Sequence, residues 1–471
     1  MEDAAEELLD SPDVLAQRIN QAGGKAGVAA SVTWLLQNAA ALDGFNSVEE
    51  WAVATGGEGP VGYHLTQVRA VLARELWQRR LFVGVTVIDE MLFQAVRRRS
   101  QDPVLDVLVW LGRSPLGKPT YVIYPLHSFG LLGAGILFQP SEVSSEALAR
   151  AYGIAVCSQH NRLSRAVEWL DEVHGWFGIT GRVPNDLLEH WRSGRAPWLE
   201  RNPLLVVRIN TLSDSYYENQ RLLLDRLHIT TTFLGGLAVR QPVPISEASR
   251  LLSTRSVNNW QTLDVHHYFV MNGGIDDQGA LRGDAIPMSV EAGYLAELSD
   301  LPVDLNMAYW SKGVDSAEGL WQPLETIANL QLPTRFRRSR AGQHSRARTA
   351  RKIFESLDYF RRSLGFDRWY AVVSLATAFE MLLTSHYAGG ITERLKRRVE
   401  LLLGDPIVAQ AVADVYDARS EMVHAGRTPP ESLAIHAAQR AYLGCLEQIA
   451  SKLNGLSRNE IDPMRRITGD I

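Results

Sequence analysis

Val415-Tyr-Asp-Ala-Arg-Ser-Glu-Met-Val-His-Ala-Gly426 places Arg419 and His424 near the end of an expected helix, with four residues between them. An arginine carries a permanent charge and a planar fork of donors suited to phosphate, and a histidine exchanges a proton near neutral pH. Together they have the chemistry to cut a phosphodiester without a metal. Their spacing is not that of one helical face, because five residues of α-helix turn through about 500° and leave the two side chains about 140° apart. Convergence therefore requires the helix to end between or just after them, with the long Arg419 side chain reaching toward the last turn, or a twofold dimer in which two copies of the pair face each other. Gly426 supplies a stop, since glycine tolerates the left-handed backbone of a C-cap, and Pro429 and Pro430 forbid continuation.

Two further blocks precede this one: Ala378-Phe-Glu-Met-Leu-Leu383 and Glu393-Arg-Leu-Lys-Arg-Arg-Val399. In order and spacing the three blocks resemble the HEPN superfamily, most closely its ApeA-like branch of prokaryotic defence proteins. The resemblance covers about the last quarter of the chain. It implies an all-α bundle, a homodimer or higher oligomer formed through that bundle, and a metal-independent endoribonuclease in which Arg419 and His424 are catalytic. It also makes Ser420 a supporting residue, to orient a phosphate or cap locally. Glu380 and Arg398 match recurrent charged positions of this branch, either in support of catalysis or as an internal ion pair between helices. The family's pairing with a nucleotidyltransferase often goes with a tyrosine shortly after the histidine. Here Ala425-Gly-Arg427 stands in its place, against modification at that point.

An arginine a few residues before a histidine is a loose signature, met again between Arg221 and His228 and between Arg337 or Arg338 and His344. Those matches lack the apolar helical lead-in and the Val-His-x-Gly ending, and only Arg338 among them is followed by a serine. The competing account of Arg419 and His424 is a solvated cation followed by a histidine that favours the helix C-terminal dipole.

With 471 residues, 46% of them hydrophobic and 21% charged, the chain has the composition of a multidomain globular protein. A formal net charge of −5 argues against indiscriminate coating of nucleic acid, so RNA contact is expected to be local. The longest apolar run, Leu131 to Phe138, is too short to span a bilayer, and the acidic start resembles no signal peptide, so a cytoplasmic protein with no membrane partner is expected. Cys157 and Cys445 are the two cysteines, which leaves no disulfide framework or cysteine-rich zinc site. No metal site and no cofactor are expected. Cys157-Ser-Gln-His160 reads as a buried thiol beside an unrelated histidine, and His266-His267 as structural.

The expected fold class is α+β multidomain, a mixed α/β N-terminal region followed by the all-α bundle. Residues 1–80 read as helical, with Leu15, Ile19, Val32 and Leu35 and then Val68, Leu72 and Leu76 at helical intervals. Residues 81–330 read as a mixed sensing or regulatory region. Strands are expected at Leu81–Ile88, Thr120–Tyr124, Ile154–Cys157, Leu204–Ile209 and Ile229–Phe233. Helices are expected after Pro140, at Arg162–Val173 and at Asp214–Leu227. The glycines of Gly130–Phe138 fit neither a dinucleotide fingerprint nor a phosphate loop, and point to close strand packing. Eleven of the twelve tryptophans precede residue 330, which suggests two bodies with different interiors. Residues 331–344 read as a basic linker, 345–456 as the bundle and 457–471 as a tail. From Gln331 to Lys352 no acidic residue occurs, so Arg346, Arg348, Arg351 and Lys352 are either solvated or contacts for an RNA backbone.

The functional expectation is an RNA-cleaving effector of anti-phage defence, a toxin of the abortive-infection kind, with a phage-derived or other trigger acting at the N-terminal region. The competing class is a non-catalytic scaffold whose bundle binds a partner protein or nucleotide.

Overall fold

The computed structural model describes residues 12–23, 27–57, 59–78, 82–83, 85–113, 119–132, 152–157, 162–177, 185–194, 196–212, 216–241, 269–271, 274–275, 281–282, 286–287, 297–306, 314–331, 345–365, 367–384, 390–458 and 460–469. The described residues are mostly helical, with a small sheet. Among the described residues no helix is long and apolar enough to cross a membrane.

The first helices, α1 (Pro12–Asn20), α2 (Val28–Gln37), α3 (Val48–Thr55) and α4 (Gly59–Gln78), continue past β1 (Phe82–Val83) into α5 (Val85–Arg97) and α6 (Pro103–Arg113). They enclose one apolar cluster that runs from Leu15 to Leu111. The strand expected at Leu81–Ile88 is thus confined to Phe82–Val83. The β-branched residues after it lose to a helical stripe in which Ile88, Leu92, Phe93 and Val96 are all buried in that cluster.

The sheet is built from β2 (Pro119–Pro125), β4 (Ile154–Cys157), β5 (Leu204–Leu212), β6 (Phe269–Met271) and β9 (Ile286–Pro287), with β1 joined at one end. β5 runs antiparallel to β2, with Val207 opposite Val122, and antiparallel to β4, with Val207 opposite Ile154. β1 pairs parallel with its last residues. Elsewhere β3 (Gly130–Leu132) pairs in parallel with β10 (Asp304–Asn306), and β7 (Gly274–Ile275) pairs with β8 (Leu281–Arg282).

Alternation along the strands explains why Leu204–Val207 is apolar throughout. Val122, Ile154, Val156, Leu205 and Val207 face one interior, whereas Ile123, Ala155, Cys157, Leu204 and Val206 face another. The second interior is closed by α7 (Leu163–Trp176), α8 (Asn185–Arg192) and α9 (Trp198–Arg201), through Trp169, Leu187 and Trp198. Cys157 lies there, and burial pushes its thiol pKa up.

The first interior leads into the C-terminal half through α10 (Tyr216–Arg240) and α11 (Val314–Gln331). A strand was expected at Ile229–Phe233, but the helix passes straight through it. Thr230 and Thr231 direct their hydroxyls at the carbonyls of Arg226 and Leu227 four residues back, which satisfies them inside a helix buried on all sides. A β-branched run looks the same in a buried strand and a buried helix, and length decides between them. Gly235 and Gly236 follow because neighbours lie where a side chain would stand: a Cβ at Gly236 would meet Leu320 at 2.6 Å and Leu443 at 3.4 Å.

The bundle consists of α12 (Ser345–Arg362), α13 (Arg368–Leu383), α14 (Ile391–Leu403), α15 (Pro406–Ala425) and α16 (Ile435–Gly455). The segment expected as a tail carries α17 (Pro463–Thr468), whose Met464 and Ile467 are buried against the bundle. One continuous apolar cluster joins the sheet, α10, α11 and α12–α17. Polar pairs lie along the same contact: Arg226 Nη1 donates to Glu325 Oε1 at 2.8 Å, and His228 Nε2 lies 3.2 Å from Asp358 Oδ1. Most of the expected basic linker, residues 332–344, lies outside the described residues, as do the helix expected after Pro140, residues 133–138 of the glycine-rich run and His266-His267.

Because α10, α11 and α16 meet at Gly236, Leu320→Ala should cost about 2–5 kcal/mol by leaving a cavity. Amide hydrogen exchange in α16 should accelerate accordingly. Unchanged α16 protection would mean that the two halves have independent cores.

Candidate active site at the end of helix α15

Helix α15 starts and stops where its sequence directs. Asp405 accepts from the backbone N–H groups of Ile407 and Val408, and Pro406 occupies the first turn. At the other end Gly426 adopts φ 63°, in the left-handed region, and its N–H reaches Met422 O at 3.1 Å. The expected C-cap is therefore present, and His424 lies in the last turn with its side chain exposed.

Arg419 is half-buried one turn earlier, where its guanidinium carbon stands 5.7 Å from the centre of the Tyr416 ring. Helical side chains lean toward the N-terminus, so an arginine that covers the residue three positions back points away from His424. Arg419 Nε is inaccessible to solvent and has no hydrogen-bond partner. Arg419 and His424 make no hydrogen bond to each other. The rise between them is about 7.5 Å along the axis, in addition to the rotation, so one copy of the helix does not bring the two groups together.

Tyr416 links Arg419 to a polar knot at the C-terminal end of α13. Its hydroxyl donates to Glu380 Oε2 at 3.3 Å. Lys352, from α12, donates to Thr384 O at 2.5 Å and to Thr384 Oγ1 at 3.2 Å. Arg398, buried on α14, donates to Leu383 O. Two cations thus complete the unpaired carbonyls of one helix end. Burial lowers the Lys352 pKa, Glu380 beside it raises it, and Arg398 lowers it again. Of the expected supporting residues, Glu380 and Arg398 gather within this knot, while Ser420 is half-buried and its hydroxyl makes no hydrogen bond among the described residues. Thr392 Oγ1 donates to Asp417 Oδ1 at 2.9 Å, which fastens α14 to α15 two residues before Arg419.

The basic residues at the start of α12 are engaged to different degrees. Arg346 donates to Leu456 O at 2.7 Å and Asn454 O at 3.3 Å, holding the end of α16. Arg351 pairs with Glu355 at 2.8 Å on the surface, and Arg348 is exposed. Tyr416 is the neighbour that sequence reading passed over. Its position three residues before Arg419 is the signal, because i and i+3 share a helical face. Lys352 and Thr384 carry no such local signal, since folding alone joins them.

No protein-family model, curated protein or solved structure matches this chain.

Arg398→Ala should lower stability by about 1–3 kcal/mol, because it strips a donor from a buried carbonyl. A urea midpoint shift would register this. An unchanged midpoint would contradict the capping role of Arg398.

Proposed function

We propose that the C-terminal bundle is a HEPN domain of the ApeA-like kind and that the protein is a metal-independent endoribonuclease acting through Arg419 and His424. The observation that carries this reading is the state of Arg419. Arg346, Arg361 and Arg398, the other partly or fully buried arginines with assigned partners in the bundle, donate to carbonyl or carboxylate oxygens. Arg419 has no ion pair among the described residues: its Nε is buried without a partner and its guanidinium lies over a tyrosine ring, about one turn from an exposed histidine, so a phosphate would be met by its Nη groups. A half-buried cation without an anion suits a phosphate that arrives with the substrate.

RNA carries its own nucleophile. In the proposed reaction the ribose 2′-oxygen attacks the neighbouring phosphorus and the bond to the 5′-oxygen breaks. His424 either takes the 2′ proton, with water protonating the departing 5′-oxygen, or gives its proton to the 5′-oxygen while water takes the one from the 2′-oxygen. Arg419 binds the nonbridging oxygens as their charge grows, an electrostatic task that often supplies the largest share of catalysis. The products are a 2′,3′-cyclic phosphate and a 5′-hydroxyl, and DNA, without the 2′-hydroxyl, is not cut.

A homodimer across the end of α15 completes the site, since the two groups diverge within one chain. Tyr416 and Glu380 orient Arg419, and Arg348 is the expected backbone contact whose side chain remains most available. We further propose a defence role in which the α/β region senses the trigger. The scaffold alternative draws on the same divergence: if no second copy supplies the missing group, the bundle binds a partner and cuts nothing.

Purified protein in chelator should convert RNA to cyclic-phosphate ends, and Arg419→Ala and His424→Ala should each slow cleavage by at least about 100-fold, with circular dichroism unchanged. Equal cleavage by His424→Ala, or dependence on added metal, would overturn the proposal.

A further inference from the structure

Among the described residues of the bundle, two large aromatic side chains are exposed. Phe354, Phe360, Phe379 and Tyr442 are interior, whereas Trp369 is 42% and Tyr370 65% exposed, side by side at the start of α13. Their ring centres lie 5.5 Å apart with planes at 79°, so one ring offers a face and the other closes it as a wall. Asp367 fixes this corner, because its carboxylate accepts from the backbone N–H groups of both residues.

The corner stands at the His424 end of α15. Glu380 meets Tyr416, while Arg368, twelve residues earlier, donates to Pro430 O at 2.7 Å and Glu431 O at 3.2 Å, so α13 and α15 run antiparallel. The chain leaving His424 is therefore tied to the residue just before the aromatic pair. Val423, beside His424, is exposed as well.

We propose that Trp369 and Tyr370 form a stacking corner for an unpaired nucleobase of single-stranded nucleic acid, next to the end of α15. The inference deepens the ribonuclease reading and rests on it for the choice of ligand. Two aromatic residues of roughly 150–250 Å² each, about half-exposed, offer on the order of 200 Å². A protein partner takes about 800 Å² on each side, so the pair is too small to be an interface alone. A single base needs only a ring face, and stacking of this kind is tolerant of sequence. Of the nearby acids, Asp367 is committed to the N-terminus of α13 and Glu421 lies 3.4 Å from Arg427, while the exposed Glu431 stands beside Arg368, whose guanidinium is held by the carbonyls of Pro430 and Glu431. Because both rings are exposed, changing them leaves the core untouched.

The test uses the full chain and a short fluorescent single strand with a 2′-O-methyl group on every ribose, which binds without being cut. Anisotropy should show affinity about tenfold weaker for Trp369→Ala with Tyr370→Ala, retained affinity for the corresponding Phe pair, and no change for a fully paired duplex. Unchanged binding by the Ala pair, or no binding of any single strand by the wild type, would overturn the corner. So would a loss of binding accompanied by a change in subunit number by light scattering, which would make the pair a subunit contact. Cleavage of unmodified RNA by His424→Ala would remove the nuclease reading. The anisotropy result would still judge the corner separately.

Discussion

Arg419 and His424 ride on one rigid helix, and its pitch keeps them on different faces. No side-chain rotation within a single chain easily reverses this, because Arg419 already leans toward Tyr416 and His424 occupies the last turn before Gly426. The arrangement makes sense as half of a symmetric site, since a twofold axis near the helix end presents each copy with the other's missing group. Tyr416, Glu380 and the cations at the end of α13 then act as a mount that fixes where the guanidinium stands. Arg398 and Lys352 cap carbonyls there instead of facing solvent.

The same packing limits how the rest of the chain could control such a site. A single apolar interior runs from the sheet through α10 and α11 into the bundle. Helices α10 and α11 pack as further members of the bundle, tied by Arg226–Glu325 between themselves and by contacts such as His228–Asp358 to α12. Control through a loose tether fits poorly with a shared core of this kind. A change at the sheet face would be transmitted as a shift in packing. The N-terminal helices, with a cluster of their own, are better placed to move as a body.

Much of this was legible in sequence where the physics is local. Gly426, Asp405 and Pro406 mark the bounds of α15 by capping chemistry, and Leu395, Val399 and Leu402 mark the buried face of α14 by period. Strands β2, β4 and β5 follow from short apolar runs. The failures also have physical causes. Ile229–Phe233 is β-branched and buried on every side, so neither propensity nor periodicity separates helix from strand, and the hydroxyls of Thr230 and Thr231 are satisfied by carbonyls of the helix itself. Val85–Arg97 hides a helical stripe behind β-branched residues. At the site, Arg419 and His424 stand out in sequence, whereas the Lys352–Thr384 contact spans α12 and α13 and leaves no local pattern. The aromatic corner is missed for a related reason: exposure, not identity, separates Trp369 and Tyr370 from the core aromatics.

Subunit mixing addresses the central claim most directly. Arg419→Ala and His424→Ala proteins, each inactive alone, would be combined under conditions that exchange subunits, and cleavage of a labelled RNA followed. A site shared across the twofold axis predicts recovery to about a quarter of wild-type activity, because about half the dimers are mixed and each mixed dimer holds one intact pair. No recovery, with mixed dimers verified by mass, would contradict a site built from two chains.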